Sequence, residues 1–148
     1  MPPRVRTRKV DKFPPVACFV PISPESSQAD PVVLKIEEWE AMRLKDMEDL
    51  NQEECAVRME VSRQTFQNIL DSARKKMVQA LVEGLPIRIE GGDYATSRCL
   101  FSCRSCGEEY EVRYARDRHI CPKCGSEHVL CKKKAEVCKN WCEAGLQK

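Results

Sequence analysis

Residues 51–70 read NQEECAVRMEVSRQTFQNIL, and the pattern of caps and apolar positions in this stretch predicts two helices separated by a tight turn. Asn51 can cap a first helix, with Glu54 reaching back as the far half of a capping box. Cys55, Ala56 and Met59 give that helix an apolar stripe. A turn follows at Glu60-Val61, and Ser62 supplies a second N-cap. Beyond it Phe66, Ile69, Leu70, Ala73, Met77, Ala80 and Leu81 recur at the three-and-four spacing of a long amphipathic helix.

The far side of that second helix carries the chemistry. Gln64, Gln67, Asn68, Asp71 and Lys75 fall opposite the stripe, and Arg63 sits in the exposed first turn. Arginine pairs bidentately with guanine and Asn or Gln with adenine in the major groove, where recognition helices place their N-terminal residues. Arg63, Gln64, Gln67 and Asn68 are therefore candidate base readers, Thr65 a candidate phosphate contact at the helix start, and Lys75 a holder of the backbone within the basic run Arg74-Lys75-Lys76. The alternative is a plain helix pair whose outer face is polar because outer faces are. Against it stand the small Ala56 where crossing helices approach closely, the short Ser62-capped turn, and the absence of carboxylates from 63 to 70.

Residues 32–92 include WEAMRLKDMEDLNQEECAVRMEVSRQTFQNILDSARKKMVQALVEGLPIRIEGG. This segment resembles the prokaryotic family called domain of unknown function 134, with LNQEECA, VSRQTFQ, SARKK and IRIEGG as its most specific pieces. Members are predicted DNA-binding proteins whose helix-turn-helix is similar to region 4 of the sigma-70 factors. The resemblance implies a transcription-related DNA-binding role without supplying a target. Where members often carry a cysteine soon after a basic start, this chain has Val10-Asp11-Lys12, and its first cysteine is Cys18.

At 148 residues, 42% hydrophobic and 32% charged, the chain has the balance of an ordinary soluble protein with one modest domain or two small ones. No basic region leads into an apolar run at the start, and residues 13–24 are broken by four prolines, so a cytoplasmic protein without membrane association is expected. The formal charge of +2 counts every thiol as neutral, and a four-thiolate zinc site would bring it to zero. Distribution is more informative than the total. Arg4, Arg6, Arg8, Lys9 and Lys12 crowd the N-terminus, whereas residues 37–60 are acidic. A basic, proline-flanked arm can follow a groove, as homeodomain arms do, or can be a solvated tail.

Most of the ten cysteines crowd between Cys99 and Cys142. Without an export signal such a cluster points to metal more readily than to disulfides. Cys103-Arg-Ser-Cys106-Gly and Cys121-Pro-Lys-Cys124-Gly are paired knuckles, fourteen residues apart, that can bring four sulfurs to one structural zinc. Residues 109–114 alternate as a strand, and His128-Val129-Leu130 can pair with it, giving the pattern of a zinc ribbon. His128, Cys131, Cys138 and Cys142 are chemically able to complete a second four-ligand site for zinc, and with Cys99 in place of His128 the set would suit an iron-sulfur cluster. The competing reading is reduced structural or reactive thiols. His119 reads as a hydrogen-bonding neighbour, and Cys55 as a small buried hydrophobe.

The expected fold is mainly α. Residues 1–31 form an arm and loop, 32–92 a sigma region 4-like helix-turn-helix domain, and 93–148 a small β zinc ribbon ending in a short helix around 132–144. The expected function is sequence-specific binding of double-stranded DNA by a non-enzymatic regulator, with surplus thiols that would allow a metal or redox response. A single helix-turn-helix usually needs a second reading element, from a homodimer or from the arm and ribbon. Two other classes stay open. A protein-interaction module would contact RNA polymerase through the acidic 37–60 face, and a thiol oxidoreductase would need a low-pKa, solvent-reachable cysteine.

Overall fold

The computed structural model describes residues 6–23, 29–95 and 100–132. In chain order the elements are β1 (Arg8–Lys9), β2 (Cys18–Phe19), β3 (Val32–Leu34), α1 (Ile36–Met42), α2 (Gln52–Met59), α3 (Arg63–Glu83), β4 (Ile87–Ile89), β5 (Tyr94–Ala95), β6 (Leu100–Cys103), β7 (Glu109–Glu111) and β8 (Val129–Cys131). A π turn, Arg43–Met47, extends α1, and a 3-10 turn spans Ala115–Arg118. The expectation of a mainly α fold is overturned. Of the described residues 38% are helical and 21% strand, in three small sheets, so the fold is an α/β mixture. The strands read from sequence at 109–114 and 128–130 form as β7 and β8, whereas β1, β2, β5 and β6, of two to four residues, carry too little alternation to register, and β1 and β2 find their partners far away in the chain.

The described residues form two compact units, one within 12–92 and one from 6–11 together with 93–95 and 100–132. In the first, β3 and β4 run parallel and β2 lies antiparallel on the other edge of β4. All three helices lie in the crossover between β3 and β4, as a parallel pair requires. Asn51 accepts from the Glu54 N–H at 2.8 Å while Glu54 accepts from the Asn51 N–H at 3.0 Å, so both halves of the capping box are made. Helix α2 ends where Glu60 adopts a left-handed φ of 54° and its N–H and that of Val61 bond back to Val57 and Ala56. Ser62 then accepts from the Thr65 N–H at 3.1 Å and opens α3. Ala41, Leu44, Cys55, Ala56, Met59, Phe66, Ile69 and Leu70 make the core between these helices.

The apolar stripe foreseen on α3 holds through Ala80, with Met77 half-buried, and fails at Leu81. Phe66, Ile69, Leu70, Ala73 and Ala80 are buried, but Leu81 is 77% exposed and Val78 and Val82 are exposed beside it. At 21 residues, roughly 31 Å, α3 outruns the shorter helices packed on it.

Carboxylates sit where the core should be apolar. Glu40 lies one turn from Ile36 and one from Leu44, and all three are essentially inaccessible. It accepts from Arg43 Nε at 2.5 Å and from the Lys12 N–H at 3.2 Å. Glu38, also buried, accepts from Lys76 Nζ at 2.6 Å, Ser72 Oγ at 2.6 Å and the Lys35 N–H at 2.9 Å, tying α1 to the middle of α3. Burial alone would raise the Glu38 carboxyl, yet these hydrogen bonds from Lys76, Ser72 and Lys35 together hold it below its ordinary value. Glu37 is buried as well and sets a limit at Gly92, where φ is 109° and an added Cβ would collide with Glu37 Oε1.

In the second unit β6 is the central strand, with β7 and β8 antiparallel on either side. The direct pairing expected between the 109–114 and 128–130 segments is therefore replaced by pairing of each with β6, whose four residues gave no sequence signal. Ala95, Phe101 and Val112 form its small core, with Tyr110, Val129 and Cys131 packed against them. Residues 6–11, foreseen as part of an arm, join this unit. β1 pairs in parallel with β5, Thr7 donates to the Arg113 carbonyl through its N–H at 2.9 Å and its hydroxyl at 3.0 Å, and Val10 is fully buried. Of the short C-terminal helix foreseen around 132–144, residues 133–144 lie outside the described residues.

Replacing Glu38 by Gln keeps its shape and removes its charge. Urea unfolding at pH 7 should show a loss of about 1–3 kcal/mol, the range for a buried hydrogen-bonded ion pair with one partner neutralised. Because the folded carboxyl lies below its unfolded value, the contribution is complete above about pH 4.3 and fades as pH falls through the folded value. Wild type and Glu38→Gln should converge in stability at more acid pH.

Candidate functional site

The capped start of α3 exposes Arg63, Gln64 and Asn68, with Gln67 half-buried beside them. Gln64 donates to Asn68 Oδ1 at 3.0 Å and Gln67 to Asp71 Oδ1 at 2.7 Å, each one helical turn on, and Gln52 of α2 donates to Gln67. Arg63 leans on α2, with Nε 3.4 Å from Gln52 Oε1 and its guanidinium 3.6 Å from Glu53. Apart from the part-buried Gln52–Gln67 bond, these are exposed contacts that water or a ligand can replace at little cost. Thr65 is half-buried and its hydroxyl accepts from Ser62 Oγ at 2.9 Å.

The basic run divides three ways. Arg74 is bound bidentately to Asp46, at 3.2 and 2.5 Å, and Lys76 is committed to Glu38. Lys75 is exposed and, among the described residues, makes no ion pair, so it is the member of the run whose charge is left for a partner. The structure also thins the acidic 37–60 stretch as a surface, since Glu37, Glu38 and Glu40 are buried and Asp46 is neutralised by Arg74.

Cys103, Cys106, Cys121 and Cys124 converge, with all four sulfurs within 4.8 Å of one another. Cys103 Sγ lies 3.6 Å from Cys124 Sγ, and Cys106 Sγ 3.7 Å from Cys121 Sγ. The two knuckles repeat one another bond for bond. Gly107 N–H bonds to the Cys103 carbonyl and Gly125 N–H to the Cys121 carbonyl, each at 2.9 Å. The Cys103 N–H bonds to the Glu108 carbonyl and the Cys121 N–H to that of Ser126. Both glycines need positive φ, 78° and 76°, which side-chain-bearing residues adopt at a penalty. Ser105 Oγ and Ser126 Oγ meet at 2.7 Å across the pair.

The N–H of Cys106 and then that of Ser105 stabilise the Cys103 thiolate and bring it down to about 6. At Cys124 the Ser126 N–H acts in the same direction but is outweighed by burial and by the neighbouring sulfurs, which push it up to about 12, and Cys106 is raised similarly against the Glu108 N–H. One negative charge is thus easily held and further ones repel, so the four sulfurs can hold a metal ion but cannot all ionise without one. Nearby, Tyr110 donates to the Asp117 carbonyl at 2.6 Å, and burial and then the Cys121 sulfur raise its hydroxyl above the ordinary range.

Of the second ligand set, Cys138 and Cys142, like Cys99, lie outside the described residues. Cys131 packs against the ribbon core and His128 is exposed, and among the described residues neither joins another ligand cluster. Cys55 is fully buried, its thiol raised by burial, as a small hydrophobe should be. Sequence reading missed Glu38 and Arg43 altogether. The signal available was a carboxylate on the Ile36–Leu44 face, at Glu40, where an amphipathic helix should show only apolar residues.

These features define an α/β protein built from a capped helix pair on a small sheet and a cysteine ribbon able to bind metal. The chain belongs to the family described as Protein of unknown function DUF134, whose model matches residues 1–97. It is similar to a UPF0251 protein of Clostridium botulinum strain Loch Maree, 55% identical over 148 residues covering all of this chain and 94% of the relative. A UPF0251 protein of Clostridium beijerinckii is 58% identical over 136 residues, 92% of each chain. The aligned stretches include the ribbon. No solved structure matches the chain. No described helix is long and apolar enough to cross a membrane.

Since Cys106 and Cys124 are held protonated at neutral pH, loading the metal-free protein with Zn(II) at pH 7 should release at least about two protons per ion. An indicator-dye titration reads this directly. Release of fewer than one would contradict a four-thiolate site.

Proposed function

We propose that the protein binds double-stranded DNA through a helix-turn-helix formed by α2 and α3, reading sequence with Arg63, Gln64, Gln67 and Asn68 and acting as a transcriptional regulator without catalysis. The observation that carries the reading is the exposed face of α3. Its first two turns present donor-rich, carboxylate-free side chains, and Lys75, on the same face, keeps an unspent charge. Arginine and amide side chains at the start of a capped helix are the groups that distinguish base edges in the major groove, while an unpaired lysine two turns on fits a phosphate. Thr65 accepts from Ser62 Oγ, which leaves its own O–H to donate to a phosphate at the helix start.

The metal of this reading is zinc. A tetrahedral ion with zinc-sulfur bonds of about 2.3 Å sets sulfurs about 3.8 Å apart, close to the 3.6 and 3.7 Å observed for two of the pairs. Four protein sulfurs leave no position for an activated water, so the ion would serve structure. A second copy of the chain, packed on the exposed Val78, Leu81 and Val82, would supply the second half-site that one such motif needs. Contact with RNA polymerase through the acidic stretch has less support, because much of that charge is internal.

Duplex DNA of random sequence tests the electrostatic half of the proposal. Affinity should fall linearly with salt on a log-log plot, and Lys75→Ala should lower the slope by about 0.9, one phosphate contact. Fluorescence anisotropy measures both, and an unchanged slope would remove Lys75 from the interface.

A further inference from the structure

The unit from Lys12 to Gly92 contains a cleft of about 750 Å³ with a predominantly apolar lining. That volume suits a small molecule rather than a few waters. Phe13, Phe19 and Trp39 supply aromatic walls and Met42, Met47 and Met77 flexible thioethers, a mixture that moulds itself to an aliphatic or aromatic body. Part of the wall is the π turn, which contributes Arg43, Asp46 and Met47. Such turns are rare and often mark functional sites.

The polar groups of the wall set the ligand's chemistry. Asp46 is consumed by Arg74, so the wall has no free carboxylate to offer a cation. Arg43, only 9% exposed, spends Nε on Glu40 and one terminal nitrogen on Glu48 at 2.7 Å, but its Nη2 is buried without a hydrogen-bond partner. A buried unsatisfied donor of this kind is costly. At the rim Lys12 is exposed, and among the described residues its ammonium makes no ion pair. What is unspent is donor capacity alone: the Nη2 of Arg43, whose charge is matched by Glu40 and Glu48, and the ammonium of Lys12, which adds an unpaired positive charge.

We propose that this cleft binds an amphiphilic monocarboxylate, its apolar body among the aromatic and methionine side chains and its carboxylate at Lys12, within reach of Arg43 after a small shift of that side chain. The site stands apart from the polar face of α3, and the claim does not depend on DNA recognition. Met77 and the Arg74 partner of Asp46 both belong to α3, however, so occupancy bears on the helix assigned above to DNA.

Decanoate is the probe, titrated calorimetrically into metal-loaded full-length protein. Saturable one-to-one binding is expected, tightening about three- to fourfold per methylene from hexanoate to decanoate. Decanol, which has the body without the charge, should bind at least about tenfold more weakly than decanoate. Lys12→Glu and Met47→Glu alter exposed side chains and should fold, yet each should weaken decanoate by at least about tenfold. Absence of saturable binding, equal binding of decanol, or indifference to both substitutions would overturn the proposal. Self-association abolished by Met47→Glu, with no decanoate binding, would assign the cleft to a second copy and overturn it too. None of these outcomes touches DNA affinity, so the two proposals fail separately.

Discussion

The placement of α3 depends on one buried carboxylate. Glu38 lies on α1 and is reached by Ser72 and Lys76, in the middle of α3, as well as by the chain at Lys35. A buried charge is tolerated only when fully hydrogen-bonded, so this contact permits few arrangements of the two helices where apolar packing alone would permit several. The apolar core around Phe66 and Leu70 then brings α2 against the same helix. With Glu38 occupying Lys76, and Asp46 occupying Arg74, Lys75 is the cation of the run turned out to solvent with its charge intact. The surface assigned to DNA is thus shaped from beneath by the pairing of its neighbours.

The cysteine ribbon follows a different logic. Among the described residues its central apolar cluster is small, Ala95, Phe101 and Val112 with Tyr110, Val129 and Cys131 packed on them, and a core of this size does little to offset the entropy of ordering the chain. Four sulfurs and two matched glycine turns supply the missing constraint, and the ion that fits them would be part of the folding free energy. The backbone around Thr7 and Arg8 adds hydrogen bonds from the other end of the chain, at Arg113 and Asp93.

Much of this was legible in sequence because it is local. Caps at Asn51 and Ser62, the turn at Glu60-Val61, and the paired CxxC-G knuckles are set by residues within a few positions of one another. The parts that were not legible are non-local. Two-residue strands at Arg8 and Cys18 gain their identity only from partners at Tyr94 and Arg88, so a basic, proline-rich stretch read as arm and loop becomes sheet, and a fold expected to be mainly α becomes mixed. The acidic run misled for a related reason. Composition counts charges without saying which are buried, and Glu37, Glu38 and Glu40 turn inward because specific donors wait for Glu38 and Glu40 there.

The central claim is that the N-terminal turns of α3 read DNA sequence. Its most direct test is selection from a random duplex pool by the metal-loaded protein, repeated with Gln64 and Gln67 both changed to Ala. The account predicts one shared motif for the wild-type protein, and for the double variant a loss of preference at particular positions of that motif with its salt dependence retained. Recovery of no motif from the wild-type protein, with binding lost uniformly as salt rises, would contradict it and leave only a phosphate-tracking surface.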